Sequence, residues 1–284
     1  MEFICPIKIN LNLYVISKRN DGYHNLQSLV VFVGGGDALS FHPESESSLR
    51  AGAPQSKETQ RLEVTGPFAG AVPTDDTNSI LRAHTAFEAA LGHPVAGRWQ
   101  LNKTVPVGAG LGSASANAAA ALRLLQGIHT LHEEKILSIG KSIGSDVPVC
   151  LLSQNAIMEG TGDRLTLAPD VVTPPLAIVF PGVMLSTKMM FEKLSFEKSL
   201  YCNKQSIKNM KNIWDTHNAF ESLACQQAPV IAEVLESLRK TTGCRLARLS
   251  GSGSACFGVY ETQDQAAVAS RALKAQYPAL WVWA

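Results

Sequence analysis

The stretch PVGAGLGSASANAAAAL, residues 106–122, decides how this chain is read. Glycines stand at 108, 110 and 112, serines at 113 and 115, and an alanine-rich run follows at once. Glycine lacks a Cβ, so its backbone adopts positive φ and approaches a ligand closely. The alanine run predicts a helix, whose start offers unpaired N–H groups and a dipole end equivalent to ~+0.5 charge. Together they predict a phosphate cradle. No Gly-Lys-Ser/Thr closes the stretch, so it is not a Walker A loop. The G-x-G-x-G spacing, with no acidic residue at the expected offset, argues against a dinucleotide fingerprint. The bland alternative is a tight strand-to-helix turn, for which three alternating glycines are a costly solution.

The rest of the 284 residues bounds the class. A hydrophobic content of 45% with 17% charged residues is that of a globular protein with a proper core. The net charge of +1 provides no global field for nucleic acid or an acidic membrane, so an anionic substrate must meet local charges. No apolar run approaches the ~20 residues that span a bilayer. The opening MEFICPIKINLNLYV reads as a first strand, not as a signal or transit peptide. Cys5, Cys150, Cys202, Cys225, Cys244 and Cys256 are scattered without a C-x-x-C pair. They read as small buried hydrophobes and predict neither zinc nor disulfides, in a reducing, cytoplasmic setting.

Polar and apolar residues alternate over 7–15, predicting a strand, and DGYH at 21–24 makes a turn into a second strand over 26–32. Residues 43–60 read as a long polar loop. Strands are expected at 61–64 and 98–103, and helices at 80–91 (capped by DTNS at 76–79), from the glycine stretch to 128, and at 133–143. Beyond residue 160 the pattern predicts strands at 176–180, 245–250 and 255–260. Helices are expected at 187–193, 218–225, 230–240 and 264–276, and the polar stretch 201–214 has no clear pattern. Interleaved helices and antiparallel hairpins give an α+β class in two lobes, 1–160 and 161–284.

Some side chains admit two readings. Lys8, inside a strand, either snorkels from an edge or is a working charge. Asp146, at a glycine turn before an apolar segment, either is a helix cap or turn residue or is a carboxylate in need of a partner. Tyr23 and His24 either cover a hairpin or hold a flat ligand ring. Lys103 is either an exposed strand residue or a point charge reaching phosphates.

With these residues in view, PVGAGLGSASAN resembles the phosphate-binding motif of the GHMP kinase superfamily. KINLNLYVISKRNDGYHNLQSL at 8–29, IGSDVPVCL at 143–151 and RLSGSGSACFGVY at 248–260 resemble further signatures in the same order along nearly the whole chain. The D-G-Y-H element points to the branch acting on a cytidine diphosphate alcohol of isoprenoid precursor biosynthesis. The resemblance implies a two-lobed GHMP kinase fold, with an N-terminal lobe like ribosomal protein S5, a ferredoxin-like C-terminal lobe, and an active site between them. It implies ATP with Mg²⁺, and transfer to the 2-hydroxyl of cytidine diphosphate methylerythritol, with no nucleic acid or membrane partner. Asp146 would be the base, and Lys8 would orient the hydroxyl. Asn10, Tyr23, His24, Thr187 and Phe191 would bind the substrate, His24 bonding the cytosine and Phe191 stacking on it. Pro106, Val107, Gly108, Ala109, Gly110, Leu111, Gly112, Ser113, Ala114, Ser115 and Ala116 would wrap the ATP phosphates, with Lys103 and Asn78 beside the nucleotide. For Mg²⁺ no ligand is assigned; Ser113 and Ser115 are candidates only. Ile7 stands where the family usually has alanine, and its side chain must find packing next to Lys8. Another small-alcohol kinase, the related decarboxylase and a catalytically silent binder are the competing readings. DGYH argues against the first two, and the retained Lys8 and Asp146 against the third.

Overall fold

The computed structural model describes residues 2–44, 61–194 and 212–283. The expected loop beyond residue 44, most of the stretch 201–214 and Cys202 lie outside these residues. Contacts divide the chain into two compact units. One comprises Met1–Ile7, Gly34–Val107 and Ser113–Ser153, the other Lys8–Val33, Gly108–Gly112 and Gln154–Ala284. This differs from a single boundary at 160. The reason is the twenty-residue strand β3, His24–Pro43, whose two halves pair with different strands and fall in different units.

In the first unit, β4 (Leu62–Thr65) runs parallel to β5 (Gly97–Asn102), with Leu62 opposite Trp99. β5 is antiparallel to the second half of β3, Ala38 facing Asn102 and Pro43 facing Gly97. The alternation in β5 turns Trp99 and Leu101 inward. Helices α1 (Ser79–Leu91), α2 (Ser113–Gln126), α3 (Glu133–Ile143) and α4 (Val147–Leu152) pack on one another. The α1 start follows from Asn78, whose Oδ1 accepts the Ile80 N–H at 2.8 Å. In α2 the buried Ala116 and Ala118–Ala121 combine high helix propensity with close packing. Ile7 is absorbed into the core at 1% exposure, which settles where its side chain goes.

Segment 103–105 is fixed by one carboxylate. Asp37 Oδ2 meets Lys103 Nζ at 2.7 Å, and its Oδ1 accepts the N–H groups of Thr104 and Val105 at 2.8 and 2.9 Å. Both charged side chains are almost fully buried. Lys103 is therefore neither an exposed strand residue nor a free point charge: its ammonium is held by Asp37 and the Val105 carbonyl.

In the second unit, β2 (Tyr14–Lys18) forms a hairpin with the start of β3, whose first half also pairs with β6 (Ala156–Gly160). β6 pairs in turn with β7 (Arg164–Leu167). A separate antiparallel sheet has the order β11 (Trp281–Trp283), β8 (Leu176–Phe180), β10 (Cys256–Val259), β9 (Leu246–Leu249). On it pack α7 (Pro229–Lys240) and α8 (Gln263–Gln276), preceded in the chain by α5 (Thr187–Lys193) and α6 (Glu221–Gln227). Ile231, Val234, Leu235 and Leu238 form the buried stripe of α7, at the spacing of one helix face. The first strand, β1 (Glu2–Asn10), begins and ends five residues before the expected strand 7–15, whose last residues start β2; β6, β7 and β11 were not expected.

Candidate active site

The glycine loop Gly108–Gly112 lies in the second unit, and its three glycines have φ of +66°, +77° and +66°. A Cβ on Gly110 would sit 2.4 Å from the Ser250 carbonyl oxygen, and one on Gly112 would sit 3.1 Å from Lys8 Cβ. Conformation and space therefore both require glycine. Three loop carbonyls are held by the protein: Ala109 by the Ala255 N–H (2.9 Å), Gly110 by Ser250 Oγ (3.1 Å) and Leu111 by the Lys8 N–H (3.2 Å). By contrast, none of the five backbone N–H groups of this loop meets a protein acceptor among the described residues. With carbonyls anchored and N–H groups available, the loop has the polarity of an anion nest.

The anchors come from two of the other motifs. Ser250 Oγ accepts the Asn10 N–H at 3.2 Å while donating to Gly110, so one hydroxyl joins β1 to the loop. Asn218 Nδ2 holds the carbonyls of Leu249 and Gly251, each at 2.8 Å. Arg248 donates to the Leu11 carbonyl at 2.6 Å. These three residues carry no role in the sequence reading, although RLSGSGS was visible as a motif. Their partners lie far away in sequence, so spacing alone did not disclose them.

Lys8 is buried at 3% exposure, which removes the snorkelling alternative. Asn10 is buried too; its Nδ2 donates to Ser28 Oγ at 2.7 Å, which in turn donates to the Asn12 carbonyl. That fixes the amide and leaves Asn10 Oδ1 as a buried acceptor without a protein donor among the described residues. His24 and Phe191 do come together, but they stack on each other, with centroids 4.8 Å apart and planes 20° apart. Phe220 meets Phe191 edge-on. Burial lowers the His24 pKa, with Lys18 adding to the effect. Tyr23 is exposed on its turn, where Asp21 is held by Arg19 and accepts the Tyr23 N–H. Thr187 Oγ1 shares a hydrogen bond with Ser252 Oγ of the glycine turn at 2.8 Å.

In the first unit a cavity of about 350 Å³ is lined by Asn78, Lys103, Ser113, Ser115 and Asn117 among others. Asn78 uses its amide locally, capping α1 and donating to the Pro73 carbonyl. Asn117 Oδ1 is buried and has no donor among the described residues. The sequence reading assigned nothing to Asn117, although it stands in SASAN. Its signal was a polar residue amid alanines on the inner face of a helix. Asp146 occupies the cap position of α4 and lies in a turn; its side chain makes no capping bond, so the cap reading falls and the turn reading stands. No cluster of three or more His, Cys, Asp or Glu side chains suited to a metal occurs among the described residues.

Residues 78–154 match the model of the GHMP kinases N terminal domain, and 196–279 match the GHMP kinases C terminal model. The chain is 38% identical to a 4-diphosphocytidyl-2-C-methyl-D-erythritol kinase of Paramagnetospirillum magneticum, covering 98% of this chain and 95% of the relative. It is 34% identical to the Bradyrhizobium diazoefficiens enzyme of the same name, covering 98% and 94%. Among solved structures, a 4-(cytidine 5'-diphospho)-2C-methyl-D-erythritol kinase superposes with a TM-score of 0.79 at 30% identity, over 99% of this chain and 98% of that one. Homoserine kinase from Cytophaga hutchinsonii, at 17% identity and a TM-score of 0.67 over 100% and 94% of the two chains, shares the fold.

Proposed function

Because this chain belongs to the GHMP kinases, and within them to the 4-diphosphocytidyl-2-C-methyl-D-erythritol kinases, we propose that it transfers the γ-phosphoryl group of ATP to the 2-hydroxyl of 4-(cytidine 5'-diphospho)-2-C-methyl-D-erythritol. The observation that carries the ATP side is the glycine loop, whose carbonyls are anchored while its N–H groups remain available to phosphate oxygens. Asn117 Oδ1, a buried acceptor facing no protein donor among the described residues, suits the exocyclic amine of adenine.

Phosphoryl transfer has a loose transition state, so positioning and charge stabilisation dominate. Asp146 takes the proton of the acceptor hydroxyl as the O–P bond forms, which a weak carboxylate base can do late in the reaction. Lys8 directs the hydroxyl oxygen and offsets developing negative charge. His24, Phe191, Asn10, Tyr23 and Thr187 bind the cytidine diphosphate substrate. The hydroxyls of Ser113 and Ser115 are hard oxygen donors, suited to Mg²⁺ that keeps waters and phosphate oxygens as its other ligands. When bound, Mg²⁺ would neutralise charge on the phosphates.

Asp146→Asn is the direct test of the base. Turnover falls by about 10²–10⁴ while the ATP dissociation constant stays within about threefold of wild type. Near-normal turnover would remove Asp146 from the chemistry.

A further inference from the structure

A second cavity, of about 410 Å³, opens in the second unit beside β9 and is lined by Thr216, His217, Glu221, Arg239, Arg245 and Arg248 among others. Arg248 is its unusual wall. It is 5% exposed, and its Nη atoms donate to the Leu11 carbonyl, Thr216 Oγ1, the Ile213 carbonyl and the Thr216 carbonyl. All four acceptors are neutral. Among the described residues the guanidinium has no carboxylate within ion-pair distance, and its Nε–H has no acceptor. The Glu221 carboxylate, already shared with Arg239, acts on it only through space, and a buried charge so incompletely compensated favours a further anion wherever space allows one.

The cavity provides that space and two more guanidiniums. Arg239 stands 3.6 Å from Glu221 and 3.9 Å from Glu236, and Arg245 pairs with Glu261 and lies over the Trp214 ring at 5.5 Å. Both arginines are about half exposed, and ion pairs of that kind exchange readily. Glu221 is held in place on its other oxygen by the Leu249 N–H at 2.9 Å, so it does not swing to Arg248 without giving up that bond. Burial, with Arg248 adding, lowers the pKa of His217 in the cavity wall.

We propose that this cavity is a binding site for a diphosphate-bearing small molecule. Its oxygens engage the guanidinium forks of Arg239 and Arg245, and its charge compensates Arg248. The volume exceeds that of a single phosphate and accommodates two with an attached organic group. Arg248 also holds Leu11, the residue after Asn10, so occupancy acts on the strand that carries Lys8 and Asn10. This regulatory consequence rests on the kinase reading; the binding itself does not.

The test is calorimetric titration of the full chain with inorganic pyrophosphate, after saturation with a non-hydrolysable ATP analogue to block the glycine loop. The site predicts one further binding event, weakened at least about tenfold in an Arg239→Gln, Arg245→Gln double variant whose basal turnover is unchanged. No further event, or equal binding by the variant, overturns the site. Sulfate binding as tightly as pyrophosphate would mean an adventitious ion only, and also overturns it. In a parallel arm, pyrophosphate shifts the KM for the cytidine substrate at least about twofold in wild type and not in the variant. An unchanged KM overturns the coupling.

Discussion

Gly110 shows what single residues decide. Its φ of +77° and the 2.4 Å that would separate an added Cβ from the Ser250 carbonyl make alanine doubly unsuitable. Gly110→Ala is expected to weaken ATP binding at least about tenfold and to cost about 1–3 kcal/mol of stability. Parallel nucleotide titrations and thermal melts check both; wild-type ATP affinity would refute the loop's role. The three glycines were legible because positive φ has few other solutions. Lys8, Asn10 and Asn12 were legible only as a polar strand face. The structure buries all three; Ser28 Oγ accepts from the Asn10 amide and the Leu29 N–H donates to Asn12 Oδ1, partners that spacing does not reveal, while Asn10 Oδ1 has no donor among the described residues.

At the scale of elements, the buried pair of Lys103 and Asp37 organises the segment entering the glycine loop. Removing one partner leaves an uncompensated charge. Lys103→Met should therefore destabilise by about 3–5 kcal/mol in chemical denaturation, while a change under about 1 kcal/mol would show that the pair does not organise this segment. Burial lowers the Lys103 pKa against the opposing pull of Asp37. Helices such as α3 and α7 were legible because apolar residues recur at helical spacing. The length of β3 was not: the expected strand 26–32 stops short of Gly34, Gly35 and Gly36, which lie inside β3. Gly36 instead permits close approach: a Cβ there would lie 1.8 Å from the Cys5 carbonyl. β11, with three residues at a sheet edge, was too short to carry a period.

At the scale of the whole molecule, three histidines share one direction of shift. Burial lowers the pKa of His24, His84 and His217, with Lys18 adding at His24, Glu88 partly opposing at His84 and Arg248 adding at His217. His84 is also fixed as a neutral tautomer. Its Nδ1 accepts from Trp99 Nε1 at 3.0 Å, so Nε2 carries the hydrogen that faces the Val95 carbonyl. A folded pKa below the unfolded value means the unfolded chain binds protons first on acidification. Stability from these groups is complete above about pH 6.5 and is lost as pH falls through the lowered values. Melting temperature should accordingly fall between about pH 7 and 5; a rise across that window would contradict it. The two-unit organisation was legible as a class but not in its boundary, since β1 and β3 each contribute to both units. The central claim is tested most directly by following ADP formation from ATP and Mg²⁺ with candidate acceptors. ADP release is expected to depend on 4-(cytidine 5'-diphospho)-2-C-methyl-D-erythritol and to yield its 2-phosphate. ADP release with homoserine or mevalonate but not with the cytidine substrate would contradict it.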